Sequence, residues 1–348
     1  MSGVTHVEVF RGHREEWDTF VDENPQGTFF HLLGWRDVLE ASFGFRTHYL
    51  AARCDRRLVG VLPLCEVPSG FRSRGLLSLP FAVEAGVCAV DDTAQRALDA
   101  AALALSADRR ASFLELRDGR DSDDFQIRAG TYYRFRRPVH PTDEENFAAI
   151  PRKQRRMIRV GQRSGLVAQT ETFDVRVFHD LYARTVRRLG TPVFSPTYFR
   201  LLLETFPERC VILTTFCGQR PVAAVLSFLF RDTVMPYYAG SRREYFRHAV
   251  NDVMYWELMR YACHRGLRNF DFGRSKAGTG AFDFKRHRGF TAEPMRYRVH
   301  VPTGRTFTER SLNDSGVRFV RWGWSRLPLG LTKLLGPVLV RRFGSLYT

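Results

Sequence analysis

The residues best suited to chemistry lie in one segment, NFDFGRSKAGTGAFDFKRHRGF, from Asn269 to Phe290. A short apolar strand is expected to end at Gly273. A Gly- and Ser-rich loop then leads to a short helix around Gly280 to Arg286. Such a loop at a strand end leaves backbone N–H groups free to meet an anion or an oxyanion. Gly273, Ser275, Gly278, Thr279 and Gly280 shape the loop, and Arg274, Lys276 and Lys285 surround it with positive charge. It is not a Walker A loop: Gly273 and Gly278 fit G-x-x-x-x-G, but Thr279-Gly280 stands where Lys-Ser/Thr is required. Nor is Ser275 in the G-x-S-x-G turn of a serine hydrolase. Two nearby carboxylates, Asp271 and Asp283, are candidates to take a proton, with Glu257 a further one in the second half. Burial in an apolar strand would raise the Asp271 pKa. Bonding to neighbouring backbone is the plainer role for that residue.

A second cluster is PRKQRRMIRVGQRSGL, from Pro151 to Leu166. Proline suits the first turn of a helix. Arg152, Lys153, Arg155, Arg156, Arg159 and Arg163 follow with no acid among them. Like charges at three- and four-residue spacing repel, so helix stability does not account for the pattern. Binding of phosphate or another polyanion does. A solvated basic face is the alternative.

The elements that must position these residues are read from periodicity. Val4 to Phe10 alternates as a strand. His13 to Asn24 and Leu32 to Ser42 read as helices. Phe45 to Cys54 and Arg57 to Val67 read as strands joined at Asp55-Arg56, Thr93 to Ala107 as a helix and Phe113 to Arg117 as a strand. The order then repeats. Helices are expected at Val175 to Leu189 and Thr197 to Phe206, and a hairpin at Cys210 to Phe216 and Pro221 to Phe230. A strand at Thr233 to Ala239, a helix at Asn251 to His264 and a strand at Asn269 to Phe272 complete the copy. LAARCDRRLVGVL from Leu50 lies over LTTFCGQRPVAAV from Leu213 at an offset of 163, and LEL at Leu114 over FDF at Phe270 at an offset of 156. This is the mark of a duplicated unit. The expected architecture is mixed α/β, with two related domains over residues 1–145 and 146–301 and a tail over 302–348. A cleft between two such copies would be a natural ligand site.

The pieces FHLLGW, PRKQRRMIR, HAVNDVMYWE and above all FDFGRSKAGTGAFDFK resemble the FemAB-like family of the GNAT acyltransferase superfamily. They are most similar to the subgroup associated with exosortase/PEP-CTERM systems and exopolysaccharide genes. The resemblance runs from about Thr28 to the C-terminus. It implies a tandem GNAT fold and transfer of an acyl or aminoacyl group from an activated donor to an amine, acyl-CoA or aminoacyl-tRNA being the co-substrate and no metal being needed. It also implies that Phe284-Lys285 lies at the reaction centre, where the lysine steadies the developing oxyanion. In GNAT folds the donor's phosphates lie where a central strand enters a helix. That is the stretch carrying Arg242, Arg243, Arg247 and His248, where positive side chains and a helix N-terminus act together. No Q/R-x-x-G-x-G/A sequence stands there, which weighs against acetyl-CoA. No helical-hairpin insertion is seen, which weighs against a tRNA donor. The expected acceptor is an anionic, phosphorylated cell-envelope, peptidoglycan or exopolysaccharide precursor. An acetyl-CoA-dependent N-acetyltransferase, and a non-catalytic basic protein that binds nucleic acid or membrane, are the other two readings.

Composition agrees with these limits. The chain has 348 residues, enough for two cores, and a net charge of +16 that draws anions to its surface. Six cysteines without a zinc spacing suit a reduced, cytoplasmic setting. No secretory signal and no apolar run of membrane-spanning length is read in the chain. The tail from Pro302 to Thr348 holds eight basic and two acidic residues, with Trp322, Trp324 and the apolar stretch Leu327 to Val340. Those features suit either peripheral docking on an anionic inner leaflet or a helix packed on the domains.

Overall fold

A computed structural model describes residues 4–68, 73–170, 174–302 and 315–343. The chain divides into two compact units. The first comprises Met1–Gly130, Met295–Ser311 and Leu339–Thr348, the second Thr131–Pro294 and Leu312–Val338.

The first unit begins with β1 (His6–Val9), α1 (Arg14–Glu23), α2 (Leu33–Phe43), β2 (Thr47–Cys54) and β3 (Arg57–Pro68). β4 (Arg74–Leu77), β5 (Cys88–Ala89), α3 (Asp92–Asp108) and β6 (Leu114–Leu116) follow. β7 (Gln126–Pro138) leads into the second unit, which continues with α4 (Asp143–Ala148), α5 (Arg152–Arg163), β8 (Leu166–Gln169), α6 (Val175–Arg188) and α7 (Pro196–Thr205). Next come β9 (Cys210–Cys217), β10 (Arg220–Phe230), β11 (Thr233–Ser241), α8 (Val250–His264), β12 (Asn269–Lys276) and α9 (Gly280–Arg286). β13 (Thr291–His300), α10 (Ser315–Arg326) and α11 (Leu329–Phe343) complete the described chain.

The helices start where side chains can satisfy their free N–H groups. Asp91 accepts from Ala94 N ahead of α3, Asp174 from Arg176 N and Val177 N ahead of α6, and Ser195 from Tyr198 N ahead of α7, where proline takes the first helical position. In the first unit α3 lays Ala94, Leu98 and Ala102 on Leu50, Leu62 and Leu64 of the sheet. In the second, Val253, Leu258 and Met259 of α8 meet Leu213, Val225 and Phe270. Each fully buried aliphatic or phenyl side chain contributes roughly 1.5–3 kcal/mol.

The repeat read from the sequence is visible in the strand registers. β2 and β3 close at Cys54↔Arg57, and β9 and β10 close at Cys217↔Arg220. Each two-residue turn has backbone in the left-handed region, at Asp55 and Arg56 in one and at Gly218 in the other. β6 pairs in parallel with β4 through only two residues, Leu114 and Glu115, and β12 pairs in parallel with β11 through only two, Asn269 and Phe270. Both units are therefore the same mixed α/β design.

β12 runs through Lys276, beyond the end at Gly273 that the sequence suggests. A bulge hides the continuation. Asp271 faces Arg136 and Arg274 faces Arg134 on β7, so Phe272 and Gly273 together oppose one residue. Gly273 takes φ 62, a conformation that disfavours a side chain. The glycine-rich loop is thus only the turn Ala277 to Thr279.

Candidate active site

Beyond Phe270 the second unit's two parallel strands separate. β11 stays with β10 as far as Ser241, while β12 continues against β7. β11 carries its own irregularity, since Leu226 pairs with Tyr238 and Ser227 with Pro236, leaving Tyr237 over. A crevice at the carboxyl ends of parallel strands is where α/β sheets bind ligands. The β12 bulge stands where the two strands part.

Two charged side chains hold that bulge. Asp271 is fully buried. Its Oδ1 accepts from Gly273 N at 2.8 Å, and its Oδ2 accepts from Arg134 Nε at 2.7 Å and lies 2.5 Å from the second guanidinium nitrogen. The Lys285 ammonium donates to Phe272 O at 2.6 Å, to Arg274 O at 3.0 Å and weakly to Gly273 O at 3.5 Å. It also lies 5.5 Å from the Phe135 ring centre and 5.8 Å from that of Phe272. Burial pushes the Lys285 ammonium down to about 7; Asp271 opposes the shift and Arg274 adds to it.

α9 places the lysine. Thr279 caps the helix, accepting from Phe282 N and donating to Lys276 O at 2.8 Å. Gly278 turns with φ 71, and space around Gly280 is open. Phe282 packs edge-on against Tyr133 and Phe135. The ring of Phe284 meets Tyr255, and the Arg288 guanidinium lies 3.4 Å from its centre. Asp283 is exposed and makes a 3.5 Å ion pair with Arg286. Ser275 is buried in the strand, and Arg274 stacks 4.5 Å from the ring centre of Tyr132. Lys276 is half-buried.

The two basic clusters come together. Gly161 lets α5 approach α8 closely, since a Cβ there would stand 2.3 Å from Val253 and 2.9 Å from His248 O. His248 joins them. Arg247 Nε donates to His248 Nε2 at 2.9 Å, so Nδ1 carries the proton and donates to Ser164 Oγ at 3.1 Å. Arg152, Lys153 and Arg156 are exposed on α5, with Arg155 half-buried. Arg243 and Arg247 are exposed in the turn before α8, and Arg242 donates to Pro221 O at 3.1 Å. The first amides of α8 add their partial positive charge.

Sequence reasoning passed over β7 because arginine interrupts its alternation. That strand supplies Arg134 to the bulge and Arg137 to a cavity behind it. Glu257, another carboxylate near the site in sequence, pairs with Arg260 at 2.9 Å and lines a separate open hollow of about 340 Å³ with His264. In the first unit, Arg117 occupies the position equivalent to Gly273. Its guanidinium bonds Glu115 and the carbonyls of Leu79 and Ala82. The chemistry-bearing residues thus belong to the second copy. Among the described residues no cluster of His, Cys, Asp and Glu could hold a metal ion, and all six cysteines are free.

The fold and this strand divergence define a tandem GNAT architecture. Residues 147–286, which span the bulge, α9 and both basic clusters, match the family described as acetyltransferase (GNAT) domain. A crystal structure of FemX superposes with a TM-score of 0.68 at 14% identity, over 85% of this chain and 97% of that one. L-PGS from Bacillus licheniformis gives a TM-score of 0.54 at 12% identity, over 93% and 97% of the two chains. A tandem GNAT protein from the clavulanic acid biosynthesis pathway gives 0.53 at 13% identity, over 86% and 98%. No curated protein matches the sequence.

Proposed function

We propose that the chain is an acyltransferase that moves an acyl or aminoacyl group from an activated donor to an amine, with its reaction centre at Lys285 in the second unit. The observation that carries this reading is the half-buried ammonium fixed on the β12 bulge, where β12 leaves β11. Attack of an amine nitrogen on a thioester or ester carbonyl forms the C–N bond and leaves negative charge on the carbonyl oxygen. The C–S or C–O bond then breaks, and the proton lost by the amine ends on the leaving sulfur or oxygen. Two of the ammonium protons are committed to Phe272 O and Arg274 O; the third, at 3.5 Å from Gly273 O, is the one an oxyanion takes. The Gly278 to Gly280 backbone lies at the start of the same helix. Asp271 is assigned the task of holding the bulge, since both its oxygens are engaged. Asp283 is left as the solvent-side carboxylate, and Phe284 as the ring that seats α9.

The basic clusters favour a donor or acceptor with phosphates. Arg242, Arg243, Arg247 and the first turn of α8 would meet donor phosphates at the crevice. The α5 cations would meet a larger anion, either a phosphorylated envelope or exopolysaccharide precursor or the tRNA of an aminoacyl donor. FemX and L-PGS share the fold, and the FemAB-like block around Lys285 favours this reading over a plain acetyl-CoA enzyme or a basic binder. Mass spectrometry of copurified small molecules, followed by transfer assays with acyl-CoA and aminoacyl-tRNA, tests it. Turnover by the wild type and loss in Lys285→Ala is the expected result.

A second observation concerns where the reaction takes place. No helix among the described residues is long and apolar enough to cross a membrane. Trp324 of α10 is buried and donates to Thr191 O at 2.9 Å, which docks α10 beside the end of α6. Phe319, Val320 and Trp322 remain exposed on α10, and Leu334 and Val338 on α11. With Arg318 and Arg326 also exposed on α10, these side chains suit peripheral docking on an anionic inner leaflet.

A further inference from the structure

Arg137 differs from its neighbours on β7. Arg134 is bound to Asp271 and Arg136 to Glu293. Arg137 is only 8% exposed, yet among the described residues it has neither an ion pair nor a side-chain hydrogen bond. Its guanidinium lies 5.4 Å from the ring centre of Phe290 and lines a cavity of about 30 Å³. Asp252 is the one carboxylate among the lining residues, and it is already bound to Arg288 at 2.6 Å. Gln154 of α5 brings an amide to the same wall. The lining therefore holds two guanidinium groups against one carboxylate, leaving one positive charge without a counterion. Burial alone pushes the Arg137 guanidinium below its ordinary pKa. An uncompensated buried cation is costly to keep.

We propose that Arg137 anchors a carboxylate-binding pocket, and that the amine acceptor of the reaction at Lys285 also bears this carboxylate. The size of the cavity limits the ligand. A single water needs about 10–15 Å³ of such space, so the cavity has room for a small polar group. A guanidinium presents paired N–H donors that match a carboxylate. The charge balance selects a monoanion. Phe272 relates the pocket to the chemistry: its ring lines the cavity and its carbonyl accepts from Lys285. Neither an acyl thioester nor an aminoacyl ester has a free carboxylate at its reacting end, so this group belongs to the acceptor. That assignment rests on the transferase reading; the pocket itself does not.

The test uses propionate as the carboxylate, with propionamide and inorganic phosphate as controls at matched ionic strength. Thermal denaturation of the full chain is followed with each probe. Propionate is expected to raise the wild-type Tm by about 2–4 °C, while propionamide leaves it unchanged and phosphate, which meets the basic clusters, acts equally on the wild type and Arg137→Met. Arg137→Met should lose the propionate response and, with a buried unpaired charge removed, should melt no lower than the wild type. An equal propionate response in Arg137→Met, an equal response of the wild type to propionamide, or a phosphate response that Arg137→Met abolishes overturns the proposal, as does no response to propionate. Should Arg137→Met fail to fold, the proposal is also overturned, because a side chain spared for ligand is not required for folding. Lys285→Met separates the two readings: it should keep the propionate response while losing transfer. A chain that binds propionate and transfers nothing retains the pocket without the reaction. One that transfers but ignores propionate retains the reaction without the pocket.

Discussion

Lys285 Nζ stands 2.6 Å from the carbonyl oxygen of Phe272, the first residue of the β12 bulge. One contact thereby links α9, which carries the charge, to the strand that departs from β11. Asp271 holds the same bulge through Gly273 N. The bulge, the lysine and the aspartate form one construction, and each can be perturbed separately.

Removing Asp271 should damage the fold more than the chemistry. Asp271→Ala leaves Arg134, whose side chain is 17% exposed, without its carboxylate. Breaking one side of a buried ion pair costs about 3–5 kcal/mol. Arg134→Ala should be similar, and the double variant should cost clearly less than the sum. Urea unfolding of the four proteins measures the coupling, and strict additivity would show that the two side chains act independently.

The Lys285 shift predicts a pH dependence of stability with a definite sign. The folded state releases this proton near pH 7, whereas an unfolded lysine keeps it to about 10.5. Between those values the unfolded chain binds more protons, so the lysine's contribution to stability rises with pH. The Tm of the wild type minus that of Lys285→Met should increase from about pH 7 towards 10. A constant difference across that window contradicts the depressed pKa.

The α5 helix is expected to act through charge and not through packing. Replacing Arg152, Lys153 and Arg156 together by glutamine should leave the Tm within about 1–2 °C, as befits exposed positions. Binding to heparin or to tRNA should weaken, with a slope of log affinity against log salt shallower by about two to three. An unchanged slope would remove α5 from the anion-binding surface.

Docking on lipid is checked by flotation with vesicles rich in phosphatidylglycerol. Phe319→Ser with Trp322→Ser should lower the bound fraction several-fold while Trp324, left in place, keeps α10 attached. Equal flotation of the two proteins would sink the docking reading.

Much of this arrangement was legible in the sequence. The duplicated hairpins were readable because two-residue turns fix register, and Cys54↔Arg57 and Cys217↔Arg220 repeat it. The short α9 was readable from Thr279 and Gly280 at its start. The end of β12 was not, because a bulge at Phe272 and Gly273 breaks the two-residue alternation on which strand recognition depends. β7 escaped for a related reason. Arg134, Arg136 and Arg137 resemble a solvated basic run until their partners, which lie far off in sequence, are known. Tertiary pairing decides which arginine is neutralised and which is left for a ligand, and no local pattern carries that information.

The rate of acyl transfer as a function of pH tests the Lys285 assignment most directly. With donor and acceptor identified, wild type and Lys285→Ala are compared from about pH 5.5 to 9. The account predicts that wild-type kcat/KM falls above about pH 7 as the ammonium loses its proton, and that Lys285→Ala is about 10²–10³-fold slower with that limb gone. Equal rates for the two proteins, or a wild-type profile that only rises through pH 7, would contradict it.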